Sequence, residues 1–132
     1  KKRTLYLESN GVGKSMKIWL DDIRIPPMQF GWKWARTVNE CITFIQEGEE
    51  LEIISLDHDL GEFRAGGYTE VELTGMDVLW FLAGDKRWPE KLLIHSANPI
   101  GKSKMKEFVL TNAPYQQMNV TTSGTIFFWD KI

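Results

Sequence analysis

Acidic and polar residues directly follow three short apolar runs of the sequence, in the groups Asp21-Asp22, Asp57-His58-Asp59 and His95-Ser96. Carboxylates gathered at one place repel one another unless a cation neutralises them or some of them stay protonated. Hard divalent cations favour carboxylate oxygens, and Mg²⁺ keeps several waters that a substrate phosphate can replace. We therefore predict a divalent cation, Mg²⁺ or Mn²⁺, held by Asp21, Asp22 and Asp57.

Other side chains near these groups have the types that phosphate chemistry uses. The two histidines supply acid and base capacity near neutral pH. A hydroxyl, a helix N-terminus and cationic side chains can all bind phosphate oxygens. We predict His58, His95 and Asp59 as catalytic residues. The predicted substrate-binding residues are Ser96, Asn98, Lys102 and Arg64.

Each of these residues also has a structural interpretation. A single aspartate at a strand end is often a cap, His58 can be a satisfied structural histidine, and Ser96 can be a turn residue. The alternation of a strand places Trp32 and Trp34 on one side, where they pack in the core or stack on a base. Trp19 and Trp80 are also predicted in the core. Cys41 is predicted to be buried there and chemically inert.

The elements that must position these groups alternate between strands and helices. Strands are predicted at residues 17–20, 32–35, 53–56, 92–94, 117–121 and 125–129, the last two as a hairpin through Ser123-Gly124. Thr37 with Glu40 forms a predicted capping box for a helix that ends at Gly48. Helices are also predicted from Thr74 to Gly84 and from Asn98 to about residue 112.

This alternation predicts a mostly parallel sheet with helices on both faces, which is a three-layer α/β fold. Ligands bind such sheets at the carboxyl ends of the strands, where the three polar groups converge. Residues 23–31 contain Pro26-Pro27 and are predicted as a loop. Residues 61–73 contain three glycines and are predicted as a mobile loop that covers the site, or as a passive insertion.

Length and composition exclude several classes of protein. A chain of 132 residues with a net charge of −2 fits one domain at residues 16–132, after an N-terminal extension of residues 1–15. No apolar run is long enough to span a membrane. One cysteine excludes an internal disulfide, so a reducing cytoplasm is the expected compartment. The small net charge argues against duplex-DNA binding but permits a nucleotide or an RNA end as partner, and the oligomeric state is left open.

The basic first residues precede no secretory signal sequence, and an edge strand is possible at residues 4–7. Residues 11–15 look like the end of a phosphate-binding loop. Glu8 stands where that motif requires a glycine, and an apolar run that favours a strand follows in place of a helix. These residues are therefore predicted to form a turn.

The order of the motifs resembles the response-regulator receiver domain. Asp21-Asp22 matches the acidic pair of that family, Asp57 its phosphate-accepting aspartate and Ser96 its hydroxyl residue. Three features differ from ordinary receivers. A proline loop replaces the first helix, residues 117–123 contain no counterpart of the family's lysine, and His58, Asp59 and His95 are additional. Phosphorelay signalling is therefore the weakest functional interpretation.

The fuller resemblance is to the cyclic-phosphate processing receiver domain family, carried by the blocks at residues 20–24, 55–61 and 95–99 within residues 16–122. It implies a metal-assisted phosphoesterase, a hydrolase acting on a cyclic phosphate such as a 2′,3′-cyclic RNA end in RNA repair or a cyclic nucleotide. The alternative is a non-catalytic, receiver-like module that binds a nucleotide or a protein, such as a phage-borne anti-defence factor.

Overall fold

The structure of this protein is a computed structural model that describes residues 15–27 and 31–132. The predicted extension and the predicted strand at residues 4–7 lie outside the described residues, except for Ser15, which begins the first strand. The predicted turn at residues 11–15 also lies outside them apart from this residue.

Strands and helices alternate as the sequence predicts. The strands are β1 (Ser15–Leu20), β2 (Lys33–Ala35), β3 (Glu50–Leu56), β4 (Asp59–Gly66), β5 (Thr69–Thr74), β6 (Lys91–Ile94), β7 (Tyr115–Val120) and β8 (Ile126–Lys131). The helices are α1 (Val38–Glu47), α2 (Gly75–Asp85) and α3 (Pro99–Asn112). The main sheet has the order β2-β1-β3-β6-β8-β7, in which β8 is antiparallel to both of its neighbours and the other pairs are parallel. The α/β, receiver-like class with a mostly parallel sheet is confirmed.

The three predicted helix starts are confirmed, and their caps have different chemistry. Thr74 and Asp77 form a reciprocal capping box at α2. The Asn98 side chain accepts from two backbone N–H groups at the start of α3. The Thr37 hydroxyl accepts from the backbone N of Glu40, but the Glu40 carboxylate accepts from the backbone N of Arg36. The box predicted at α1 is therefore only half formed.

All three described helices pack on the same face of the main sheet. Alternate strand residues are buried in one core with the inward residues of the helices, and α2 packs between α1 and α3. The sequence predicted helices on both faces. The second face differs because the described residues of the connection between β1 and β2, which include Pro26-Pro27, form no helix. This described part is irregular, and Trp32 at its end contacts the ring of Trp19 in β1.

The prediction of a mobile loop at residues 61–73 is wrong, because this segment forms most of an antiparallel hairpin of β4 and β5. Its base is anchored by Leu60, which is buried, and by the Glu62 carboxylate, which accepts from the backbone N of Val38. Gly67 has φ +78° at the turn, and the adjacent Tyr68 is fully exposed. Cross-strand pairing organises a sequence whose own periodicity is weak.

Two predictions about apolar side chains have opposite outcomes. Trp80 was predicted in the core, but it is 62% exposed on α2 and contacts Phe108 there. Cys41 is fully buried, and burial raises the pKa of its thiol to about 12, in agreement with an inert residue. Among the described helices, none combines the length and the apolar character needed to span a membrane.

Candidate functional site

An acidic cleft of about 420 Å³ lies at the carboxyl edge of the parallel strands, where the sequence predicted the site. Three of its aspartates follow the ends of β1 and β3, the fourth begins β4, and the start of α3 closes one side. The cleft is lined by Asp21, Asp22, Ile23, Arg24, Asp57, Asp59, Gly61, Ala97 and Asn98. The acidic groups that are distant in sequence are therefore close in space.

Three carboxylates form a candidate metal site within this cleft. Ligand oxygens of Asp21, Asp22 and Asp57 all lie within 4.8 Å of one another. Burial, and then the negative charge of Asp21, raise the pKa of the Asp57 carboxyl above its ordinary value. An all-oxygen donor set of three carboxylates suits Mg²⁺ or Mn²⁺, so these residues fit the predicted cation.

Asp21 is the most constrained of the three carboxylates. One oxygen accepts from the backbone N atoms of Ile23 and Arg24 at 2.9 and 2.8 Å. The other accepts from His95 Nε2 at 3.0 Å and lies 3.5 Å from the Arg24 guanidinium. Because Asp21 is 1% exposed and its oxygens already have these donors, Asp22 and Asp57 have more coordination capacity left.

Asp22 and Asp57 are held more loosely. Asp22 is half-buried, and Gly61 lies so close that an added Cβ would be 3.5 Å from its carboxylate. One oxygen of Asp57 accepts from the backbone N of His58, and the Ser96 hydroxyl also hydrogen-bonds this carboxylate. Ser96 in turn accepts from the backbone N of Asn98. Its hydroxyl thus positions Asp57, while its predicted contact with substrate stays a prediction.

His95 is buried beside the cleft with both ring nitrogens hydrogen-bonded. Its Nε2 donates to Asp21, and its Nδ1 accepts from the Ser55 hydroxyl at 2.7 Å. The ring stacks on Trp19 with centroids 3.9 Å apart. Burial lowers the pKa of His95 to about 4, although Asp21 acts to raise it. A neutral ring with Nε2 protonated satisfies both bonds, so the geometry suits holding Asp21 more than transferring a proton.

His58 lies in a separate cluster with Asp59 and Asn98. His58 Nδ1 is 2.7 Å from Asp59, and the Asn98 amide donates to both oxygens of that carboxylate. The hydrogen bonds from His58 and then Asn98 lower the pKa of Asp59. The His58 ring packs against Gly101, where an added Cβ would lie 2.5 Å from the ring. The structure therefore gives the two histidines different carboxylate partners.

Lys102 and Arg64 do not line the acidic cleft. The Lys102 ammonium donates to the carbonyl oxygen of Gly124 at 2.8 Å, and this lysine borders a different cleft with Pro99 and Lys106. Arg64 is exposed on β4 opposite Val71, toward the tip of the hairpin. Neither predicted phosphate contact is assembled with the aspartates in this structure.

The site also contains groups that the sequence did not predict as functional. Arg24 is half-exposed in the cleft and provides a cation close to the aspartates. The indole of Trp19 donates to the carbonyl of Arg24, and the indole of Trp34 donates to the carbonyl of Asp21. These bonds fix the chain directly after β1. Arg24 lies in the block at residues 20–24, which was the one available signal for it.

Comparison with known proteins gives one match. Residues 16–111 match the family model described as the cyclic-phosphate processing receiver domain. No curated protein and no solved structure matches the chain. The match covers most of the sequence, and it includes every aspartate and histidine of the acidic cleft and its surroundings. The chain therefore belongs to the cyclic-phosphate processing receiver domain family.

Proposed function

We propose that this protein is a phosphoesterase that uses a divalent cation to open a cyclic phosphate, such as a 2′,3′-cyclic RNA end or a cyclic nucleotide. The observation that carries the proposal is the set of three carboxylates within 4.8 Å in a cleft that also contains Arg24. Asp22 and Asp57 would hold the cation, and Asp21 would complete the set. The cation would neutralise the phosphate and orient a water.

Arg24 is the group best placed to bind a phosphate oxygen in the cleft. Its guanidinium is half-exposed and lies 3.5 Å from Asp21, so part of its fork remains available to an anion. The neighbouring aspartates would repel a phosphate on their own. Arginine and a cation together would therefore compensate the charge that substrate brings into the cleft.

His58 and Asp59 are the proposed groups for proton transfer. Asp59 lines the cleft and accepts from His58 Nδ1, which orients the ring as a carboxylate does in other acid–base pairs. Within the described residues only Nδ1 of this ring is hydrogen-bonded, so Nε2 would be the atom that takes the proton of the attacking water. Water then bonds to phosphorus, one ester P–O bond breaks, and solvent protonates the leaving oxygen.

His95 has a different role in this proposal. Both of its nitrogens are occupied by Asp21 and Ser55, so it would position the carboxylate without exchanging protons with substrate. The prediction of two catalytic histidines is thereby replaced by one acid–base residue and one positioning residue.

Hydrolysis of a 2′,3′-cyclic nucleotide, with Mg²⁺, Mn²⁺ or EDTA, tests the activity. Turnover that requires the cation is expected in the wild type and is lost in Asp57→Asn. His58→Gln should reduce the rate by about 10²–10⁴-fold. Asp85→Asn, the same change at an exposed position at the end of α2, is the matched control and should keep full activity. Absence of turnover by wild type with either cation would refute the proposal.

The alternative is a receiver-like module that binds a nucleotide or a protein without turnover. It is favoured by one observation: Ser96, Asn98 and His95 all use their polar atoms in internal hydrogen bonds. Calorimetry with the same cyclic nucleotide separates the two proposals. Binding of a nucleotide that stays intact would support the module, and a phage-borne anti-defence role would then be the one to pursue.

A further inference from the structure

One stretch of the chain has a charge opposite in sign to that of the whole. Residues 99–129 contain three lysines and one acidic residue, Glu107, whereas the whole chain has a net charge of −2. The lysines are Lys102, Lys104 and Lys106, and all three lie on α3. Because α3 starts at the acidic cleft, a positively charged surface adjoins the aspartates that are proposed to hold a cation.

A groove of about 270 Å³ lies between the first two turns of α3 and the hairpin of β7 and β8. Its walls are apolar at Pro99, Val120 and Ile126, and its charged residues are Lys102 and Lys106. No carboxylate is among the described residues that line it. Cationic side chains beside apolar walls favour an anionic ligand that also has apolar surface, which is the character of a sugar-phosphate chain.

The two groove lysines have a spacing that suits neighbouring phosphates. Lys102 and Lys106 are four residues apart, so they lie on one side of α3 and about 6 Å apart along its axis. The Lys102 ammonium donates to the carbonyl oxygen of Gly124, which fixes it at the groove and leaves two of its N–H donors. Among the described residues the half-buried Lys106 ammonium has neither a hydrogen bond nor an ion pair. Both lysines therefore have charge and donors to offer to a ligand.

The groove begins where the acidic cleft ends. Asn98 lines the cleft, and the next residue, Pro99, lines the groove. Gly101 packs against the ring of His58, the residue proposed for proton transfer, and is followed directly by Lys102. An RNA chain whose terminal phosphate lies in the cleft can therefore extend over the first turn of α3 to both lysines.

We propose that this groove binds the sugar-phosphate backbone of a single-stranded RNA whose 3′ end lies in the acidic cleft. The proposal deepens the function proposed for the cleft, and it rests on that function for the identity of the ligand. It makes an RNA oligomer the substrate class in place of a free cyclic nucleotide. Lys102 and Lys106 pair with successive phosphates before the 3′ end, and the apolar walls contact the riboses. An acidic peptide would also satisfy the lysines, but it brings no phosphate ester to the cleft.

A titration of the ¹⁵N-labelled whole chain with a single-stranded RNA oligomer tests the groove. The oligomer ends in a 3′-hydroxyl and the buffer contains EDTA and little salt, so neither a cation nor a terminal phosphate contributes. The backbone amide signals of Ser103 and Gly124 should shift saturably. Lys102→Gln and Lys106→Gln should each weaken the affinity by about fivefold, as the loss of one exposed ion pair does. Lys104→Gln, at an exposed position on another side of α3, is the matched control and should leave the affinity unchanged.

The salt dependence and an acidic competitor identify the ligand. Each groove variant should reduce the slope of log affinity against log salt concentration by about 0.7, the value for one phosphate contact of a single strand. A polyglutamate peptide of the same length should bind more weakly than the RNA. Equal binding of this peptide with the same dependence on the two lysines would overturn the proposal. An affinity for RNA that neither lysine variant changes would also overturn it.

Kinetics connect the groove with the cleft. The double variant Lys102→Gln/Lys106→Gln should lower kcat/KM for a cyclic-ended RNA oligomer at least about fivefold more than for a 2′,3′-cyclic mononucleotide, which is too short to reach both lysines. Equal losses for the two substrates would place the lysines at the cleft and overturn the groove. If wild type turns over neither substrate, the proposed function of the cleft fails, and the titration by itself decides whether the groove binds RNA.

Discussion

The buried His95 should make the stability of this protein decrease as the pH falls from 6.5. Burial lowers the pKa of this side chain from 6.5 to about 4 in the folded chain. In the unfolded chain it takes a proton below pH 6.5, whereas the folded side chain binds that proton only near pH 4. Protons therefore stabilise the unfolded state over this interval, and above it His95 contributes no pH dependence.

The size of the effect follows from the pKa difference. Each pH unit within the interval costs about 1.4 kcal/mol of unfolding free energy. The loss is therefore about 2 kcal/mol between pH 6.5 and 5, and about 3 kcal/mol by pH 4. The side chain is only 7% exposed, so solvent screens this difference little. Measurements above pH 5 keep most carboxylates ionised and isolate the histidine.

Urea unfolding in EDTA from pH 8 to 5 measures this loss. His95→Gln does not titrate and still carries an amide N–H that can reach Asp21, so it should lack about 2 kcal/mol of the acid-induced loss. His58→Gln removes the other histidine and should retain that part of the loss. If wild type and His95→Gln lose the same free energy over this range, His95 is not held neutral by burial, and its assignment as a positioning residue fails.

Three further changes test the packing and charge of the site by urea unfolding. Gly101→Ala should lower the free energy of unfolding by about 1–3 kcal/mol, because its Cβ would clash with the His58 ring. Gly84→Ala is the control: an added Cβ there has nothing within 4 Å, so the free energy of unfolding should rise by about 0.5–1 kcal/mol. Equal effects of the two changes would contradict the packing at Gly101. Without metal, Asp57→Asn should raise the free energy of unfolding, because burial disfavours the charge of the Asp57 carboxylate. The same change should abolish any stabilisation by Mg²⁺. A Mg²⁺ response equal to that of wild type would remove this residue from the metal site. Asn98→Ala should cost about 1–2 kcal/mol through its lost helix cap, and an unchanged free energy would contradict that role.

Local features of this chain were predictable because their physics acts over a few residues. Thr37, Thr74 and Asn98 cap helices through their own side chains, and neighbouring backbone N–H groups lie within their reach. The aspartates that end β1 and β3 were predictable for a similar reason. A polar group after a buried parallel strand must lie at the carboxyl edge of the sheet.

Other features were decided only when distant segments met. Residues 61–73 have weak periodicity, and their hairpin depends on pairing between β4 and β5. The role of His95 depends on Asp21 and Ser55, which lie on two other strands. Lys102 lies near the first turn of α3, which suggested a phosphate contact, but its ammonium group donates to the carbonyl oxygen of Gly124.

The physical reason is that residue type and spacing determine which hydrogen bonds and charges a segment can offer. Tertiary packing determines which partner is met. From the sequence, Asp21 was predicted as a metal ligand and His95 as a catalytic residue, but burial of the pair makes the histidine a neutral donor. The sequence by itself thus determined the chemical groups and the edge at which they gather, and only the fold decided which of them remain free to act.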